Sequence, residues 1–424
     1  MKESKQGIDI KKLNQLTWKR ARPIILSLGL LLMVVSVFVG YNSTNNWHKD
    51  QNFIHSNKAK ENYNLFVQEQ KTLEEKINTK YQSSKDYQKA SDYGYNNGAQ
   101  LIHFDKRTGK FSIEYESFKS FYGYIRTKLF HNHGLANLIN SGYIVSTTNI
   151  YRGLSLISLI FLIVGFLISF LDYKTNFVLL LFSSGYRRSD ILKSSILTSL
   201  VPLIVLSIIA IGINITILYS SIPLHYINYP LNKIIFYHLC LLIVAIFYYF
   251  VGLFSGIIFG QVFTAIISLI GFIFGLELIK TNLLDLFDAI FHKQNSGVYD
   301  SSLFSRFDSG LYWLILVVIT IMLTFTIYFS SRFFYNKLSL EERGNYILFP
   351  NLRLPISIVA ALFTSYSLSG NLGLSNKYST VSTSSLLRDN IIYGLIIFFI
   401  TFFIFVVINN YKQIYERFSK ILNK

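Results

Sequence analysis

Apolar residues in this chain come in long unbroken runs with short polar stretches between them. They do not follow the every-third or every-second pattern of a half-buried helix or strand. Runs at 23–41, 153–171, 194–219, 234–255, 261–279, 311–330, 354–370 and 391–409 approach or reach the ~20 residues a helix needs to cross a bilayer. They predict an all-α polytopic membrane protein of about eight transmembrane helices. The fourth and fifth runs nearly touch, and Gly256, Gly260 and Gln261 predict a tight turn between them. The run 354–370 is the weakest, being short and rich in hydroxyls.

The polar stretches carry patterns of their own. Residues 1–22 hold Lys2, Lys5, Lys11, Lys12, Lys19, Arg20 and Arg22, with Ile10, Leu13, Leu16 and Trp18 to line one side of a short interfacial helix. Residues 42–151 form the long polar region. Leu65, Phe66, Leu73 and Ile77 within 58–89 recur at helical spacing, and Phe118 to Ile139 predicts a second helix. Between them, Ile102, Phe104, Phe111, Ile113 and Tyr115 alternate around a turn at 105–110, as in a β-hairpin. The region therefore reads as a small α+β domain between the first two spans.

The segment 172–193 combines two characters. It opens on Asp172, carries the apolar stretch 177–182, turns at Ser183-Ser184-Gly185 and closes on Arg187, Arg188 and Lys193. It is too short and polar to span, yet its first half is too apolar for a solvated loop. A short surface helix burying Phe177, Leu180 and Leu181 fits both facts, with Gly185 free to turn and Ser189 or Asp190 capping the next helix. A plain basic loop is the alternative. The loop 331–353 contains Glu341, Glu342 and Arg343 followed by an apolar patch at 346–350, suited to a membrane or partner surface, or to a connector.

Composition agrees with a membrane protein: 51% of residues are hydrophobic and only 15% charged. The net charge of +17 would suggest nucleic acid in a soluble protein. Here the excess flanks apolar runs, as the positive-inside rule expects, so no nucleic-acid partner is expected. Placing the N-terminus inside puts Lys174, Arg187, Arg188, Lys193, Arg332, Lys337, Arg343, Arg353 and the basic tail 410–424 on the inner side. Eight spans with both termini cytoplasmic satisfy the rule and leave 42–151 outside.

Catalytic chemistry is not written in this sequence. No G-x-x-x-x-G-K-[ST] motif or nucleophile triad occurs, so ATP and magnesium, if used, belong to another chain. His131 and His133 are two residues apart with no Cys or acid cluster near them, and no metal site is expected. Cys240, the single cysteine, lies in an apolar run and can form no disulfide within the chain. Polar residues inside or at the ends of runs are few. Glu277 and Lys280 can pair on one helix face, and Asn214 and His238 suit helix–helix contacts. A proton-coupled transporter wants a line of buried acids, which is missing.

The layout resembles the permease subunits of ABC-2-type transporters of Gram-positive bacteria. Three features carry the resemblance: one anchor, then a large outer insertion before the second span; the segment 172–193, with an acid, an apolar stretch, a Gly/Ser turn, a basic residue and a lysine; and the loop sequence LEERGNYILFP. The acid is Asp172 where the family has glutamate, and the last two spans exceed the family's six. The resemblance implies a multi-pass protein of a bacterial plasma membrane, among membrane lipid, paired with a second permease and two ABC-type ATP-binding subunits. It implies export of a peptide, antibiotic or lipid-like compound, with Asp172 to Lys193 docking on the ATPase and no catalytic residue or cofactor in this chain. An envelope-stress or peptide sensor, and a secondary transporter, remain the other readings.

Overall fold

A computed structural model describes residues 10–80, 93, 102–105, 110–113, 156–224, 231–261, 265–275, 278–279, 310–338, 346–374 and 383–422. The helices are α1 Ile10–Ile54, α2 Asn57–Lys80, α3 Leu156–Lys174, α4 Phe177–Ser183, α5 Arg188–Ser221, α6 Leu231–Ile258, α7 Ala265–Gly275, α8 Gly310–Asn336, α9 Arg353–Leu374 and α10 Thr383–Leu422. Among the described residues, 7 helices (α1, α3, α5, α6, α8, α9 and α10) are long and apolar enough to cross a membrane, so the chain is an α-helical multi-pass membrane protein. The hydroxyl-rich run at 354–370 is one of them.

The eighth expected span, 261–279, is represented by α7, which is too short by itself to cross. Phe272 stacks on Phe363 at 5.4 Å, and the Ser367 hydroxyl donates to Gly275 O at 3.2 Å, which sets α7 parallel to α9.

Two parallel helix pairs form the core. In the first, α3 and α6 approach until backbones touch. A Cβ on Gly165 would meet the carbonyl of Tyr249, and one on Gly252 would meet the carbonyl of Leu162. Gly256 extends the contact along α6 to Ser169, so it serves packing rather than the turn expected at its position. Ser169 Oγ reaches Leu253 O across the seam at 3.1 Å. In the second pair, α1 and α5 pack through stripes spaced by three or four residues. Leu13, Thr17, Ala21, Ile25, Leu32 and Ser36 are buried on α1, and Ser195, Ser199, Leu203, Ser207, Ala210 and Asn214 on α5. Asn214 Nδ2 donates to Ser36 O at 3.1 Å, the helix–helix contact expected of it. Tyr249, fully buried, joins the pairs through a 2.6 Å hydrogen bond with Ser199. Cys240 is buried on α6.

α1 departs from its expected segmentation. The interfacial helix at 1–22, the span at 23–41 and the start of the outer region appear as one helix from Ile10 to Ile54, continuing through Pro23. Leu13 is fully buried against protein, while Ile10 and Leu16 are exposed, so this part of α1 packs on α5 through its Leu13 side. At 1.5 Å per residue α1 is about 67 Å long, twice the hydrocarbon thickness. A short turn leads to α2, which buries Tyr63, Phe66 and Ile77 but leaves Leu65 exposed. An antiparallel pair, β1 Ile102–Asp105 and β2 Lys110–Ile113, sits beside α2 with Phe104 opposite Phe111. The Asn78 amide holds both the N–H and the carbonyl of Phe111, at 3.0 and 2.9 Å. The remainder of the expected α+β domain lies outside the described residues.

Candidate functional site

One end of the bundle gathers the start of α1, the end of α3, all of α4, the start of α5, the ends of α6 and α8, and the approach to α9. The segment from Asp172 to Lys193 forms its centre. α3 ends at Lys174, and the chain reverses through Asn176, which takes a left-handed conformation with φ 60°. α4 then runs for two turns and stops where the hydroxyls of Ser183 and Ser184 bond back to Leu180 O and Leu181 O at 2.9 and 2.7 Å. Gly185 has φ 80° with open space where a Cβ would be, so the backbone conformation, not crowding, selects glycine.

α5 begins with Arg187 as its extended N-terminal residue, its carbonyl accepting from the N–H groups of Asp190 and Ile191 at 2.9 and 3.1 Å. The capping role expected of Ser189 or Asp190 is therefore not filled. Both lie inside the first turn, where the Asp190 carboxylate still complements the helix dipole.

The buried side of α4 is shifted from the expected one. Val178 and Leu181 are buried and Phe177 and Phe182 partly so, but Leu180 is 59% exposed and Leu179 is 42% exposed. Two leucines in the middle of α4 are thus exposed, as are Arg187 and Lys193 around the start of α5. The inward face meets residues the sequence pattern did not connect with it. Val178 packs with Tyr173, Leu338 and Leu348, and Phe182 lies edge-on to Tyr335 at 5.9 Å.

Two arginines brace this segment from opposite sides. Arg188 donates to the carbonyls of Asn336 and Leu338 at 2.7 and 3.1 Å and stacks over Phe182 at 4.4 Å. It therefore closes the C-terminal end of α8, where a cation is favoured. Arg20, from α1, pairs with Asp172 at 2.6 Å, donates to Leu171 O at 2.8 Å and to the Thr175 hydroxyl, and lies 4.5 Å over the Phe177 ring. Beside it Asn14, Thr17 and Ser194 form a hydroxyl–amide chain at 2.6 and 2.8 Å between α1 and α5. The sequence carried one signal for Arg20: an acid at the end of an apolar run needs a cation at the same depth. The positive-inside pattern hid it by making every basic residue there look solvated.

The loop at 331–353 joins the same platform through its apolar patch. Ile347 and Leu348 are buried, Leu348 N–H donates to Ile258 O at 2.9 Å, and Gly260 N–H to Tyr346 O at 3.0 Å. Tyr346 also bonds Ser268 through its hydroxyl at 2.8 Å; burial pushes this phenol above its ordinary range, and the Ser268 bond pulls it partly back. The patch thus packs, at least in part, on its own chain. Glu341, Glu342 and Arg343, like Glu277, Lys280, His131 and His133, lie outside the described residues. Among the described residues no group of three His, Cys, Asp or Glu could hold a metal. Compared with protein-family models, curated proteins and solved structures, the chain matches none.

Proposed function

We propose that this chain is the membrane-spanning permease subunit of an ATP-driven exporter of the ABC-2 kind, both termini cytoplasmic, with α4 docking on a separate ATPase. The observation that carries the reading is the exposed face of α4. Leu179 and Leu180 are exposed on a helix braced by Arg20, Arg188, Tyr335 and Leu348. A braced element with an exposed apolar face suits force transfer, since a load on it reaches three helices at once. Two ATPase copies and a second permease complete the assembly. The cargo is a peptide, antibiotic or lipid-like compound, and residues 42–151 form an extracellular α+β domain.

The test separates docking from bracing. Leu180→Asp and Arg187→Ala change exposed side chains and should leave membrane levels and melting temperature unchanged. In cells co-expressing a cassette ATPase encoded beside this chain, both should reduce ATPase co-purification at least tenfold, because lost contacts in a desolvated interface cost about 2–5 kcal/mol. Attraction of one arginine to anionic lipid is worth only about 1 kcal/mol, too little for that loss. Full ATPase association in both variants would reduce the segment 172–193 to a plain basic connector. The sensor reading draws on α1, which passes unbroken from the platform toward the outer region. Ligand binding to residues 42–151 without any efflux from vesicles would favour it.

A further inference from the structure

We infer that Arg20 is a positioning residue: it sets the angle of α4 by clamping the hinge between α3 and α4 to α1. The hinge is short, and Arg20 touches both of its sides. Its Nε pairs with Asp172 on the last turn of α3. Its Nη2 reaches Leu171 O, which also accepts from the Thr175 N–H and hydroxyl at 2.9 and 2.7 Å, and the hydroxyl of Thr175 in the reversal itself. Its guanidinium plane covers Phe177, the first residue of α4. Contacts to four residues from one planar group define both the position and the tilt of α4, which a point charge such as lysine cannot do.

The acid of the clamp is buried, while the Arg20 side chain is 27% exposed. Asp172 is 8% exposed as a residue, and a cavity of about 10 Å³ beside the pair is lined by Thr17, Asp172, Ser195 and Thr198 among others. Arg20 sits on α1, which runs unbroken from Ile10 to Ile54, so any rotation of α1 moves the hinge directly. Arg188 acts differently, since it holds the far side of α4 to α8 through Asn336, Leu338 and Phe182. Positioning of α4 stands on geometry alone; its consequence for an ATPase rests on the function proposed above.

The experiment uses the full chain in lipid nanodiscs of phosphatidylglycerol and phosphatidylethanolamine. Spin labels replace exposed Leu180 and Leu197 in a Cys240→Ala background, and the distance distribution is read by pulsed electron resonance. Arg20→Gln and Asp172→Asn should each widen it at least twofold. Arg20→Lys should widen it by an intermediate amount, and it carries the test if the neutral variants fail to insert. Asn214→Ala loosens the α1–α5 pair elsewhere and should leave the width unchanged. An unchanged width in Arg20→Lys and Arg20→Gln overturns the inference, as does equal widening in Asn214→Ala. Widening with no ATPase association even in the parent protein would retain the positioning role and refute the ATPase reading.

Discussion

The α3–α6 pair and the α1–α5 pair are both parallel, both built on small residues, and held in different ways. On α3–α6 the nearest neighbour of two glycines is a backbone atom, Tyr249 O against Gly165 and Leu162 O against Gly252, while Gly256 meets the Ser169 side chain first. On α1–α5 the neighbour is a side chain: Leu206 against Gly29 and Ile217 against Gly40. Backbone carbonyls cannot rotate away, whereas a leucine has other rotamers. The first seam is therefore rigid, and the second is held by exchangeable contacts and by hydrogen bonds from Thr17, Ser194 and Asn214. A protein that moves helices against one another would keep the first as a unit and yield at the second.

Substitutions can break this contrast, in order of effect. Gly252→Leu, or Gly165→Leu, should abolish the folded protein in size-exclusion chromatography of detergent extracts, because overpacking already costs about 1–3 kcal/mol where side chains can adjust. Asn214→Leu should lower thermal stability by about 0.6–1.7 kcal/mol, the range for hydrogen bonds between membrane helices. Thr17→Val removes the hydroxyl contact with Ser194 and should cost about 0.6 kcal/mol in the same melt. Gly29→Ala should cost less still, since only Leu206 needs to turn. Gly212→Ala, with open space around it, should be neutral or stabilise by up to about 1 kcal/mol. If Gly29→Ala proved as damaging as Gly252→Leu, the two seams would be equally rigid and the contrast would fail.

The candidate site was half legible in the sequence. The length of 172–193, its apolar first half and the Gly185 turn all come from residue types, and α4 and the left-handed Gly185 are where that pattern puts them. Which leucine faces outward was not legible. A two-turn helix offers too few positions for periodicity to choose a face, and Leu179, Leu180 and Leu181 are chemically equal. The neighbours chose: Tyr335 and Phe182 on one side and Leu338 and Leu348 on the other enclose Leu181 and Val178. Arg187 and Arg188 were likewise alike in sequence, yet it is Arg188 that reaches the end of α8.

Composition and run length by themselves determined the class of this protein. Long apolar runs cannot remain in water, and only helices satisfy their own backbone polar groups within lipid. The alternation at 102–113 likewise specified its own strand pairing, since both partners are close in sequence. Tertiary structure alone decided what joined distant segments. It ran α1 through Pro23 as one rod, turned Gly256 from a turn signal into a helix contact, folded the 346–349 patch onto the end of α6, and brought Arg20 to Asp172 from far along the chain. The physical reason is common to all four. A small residue, an apolar patch or a charge is recognised by what surrounds it, and local sequence sets only the element on which it rides.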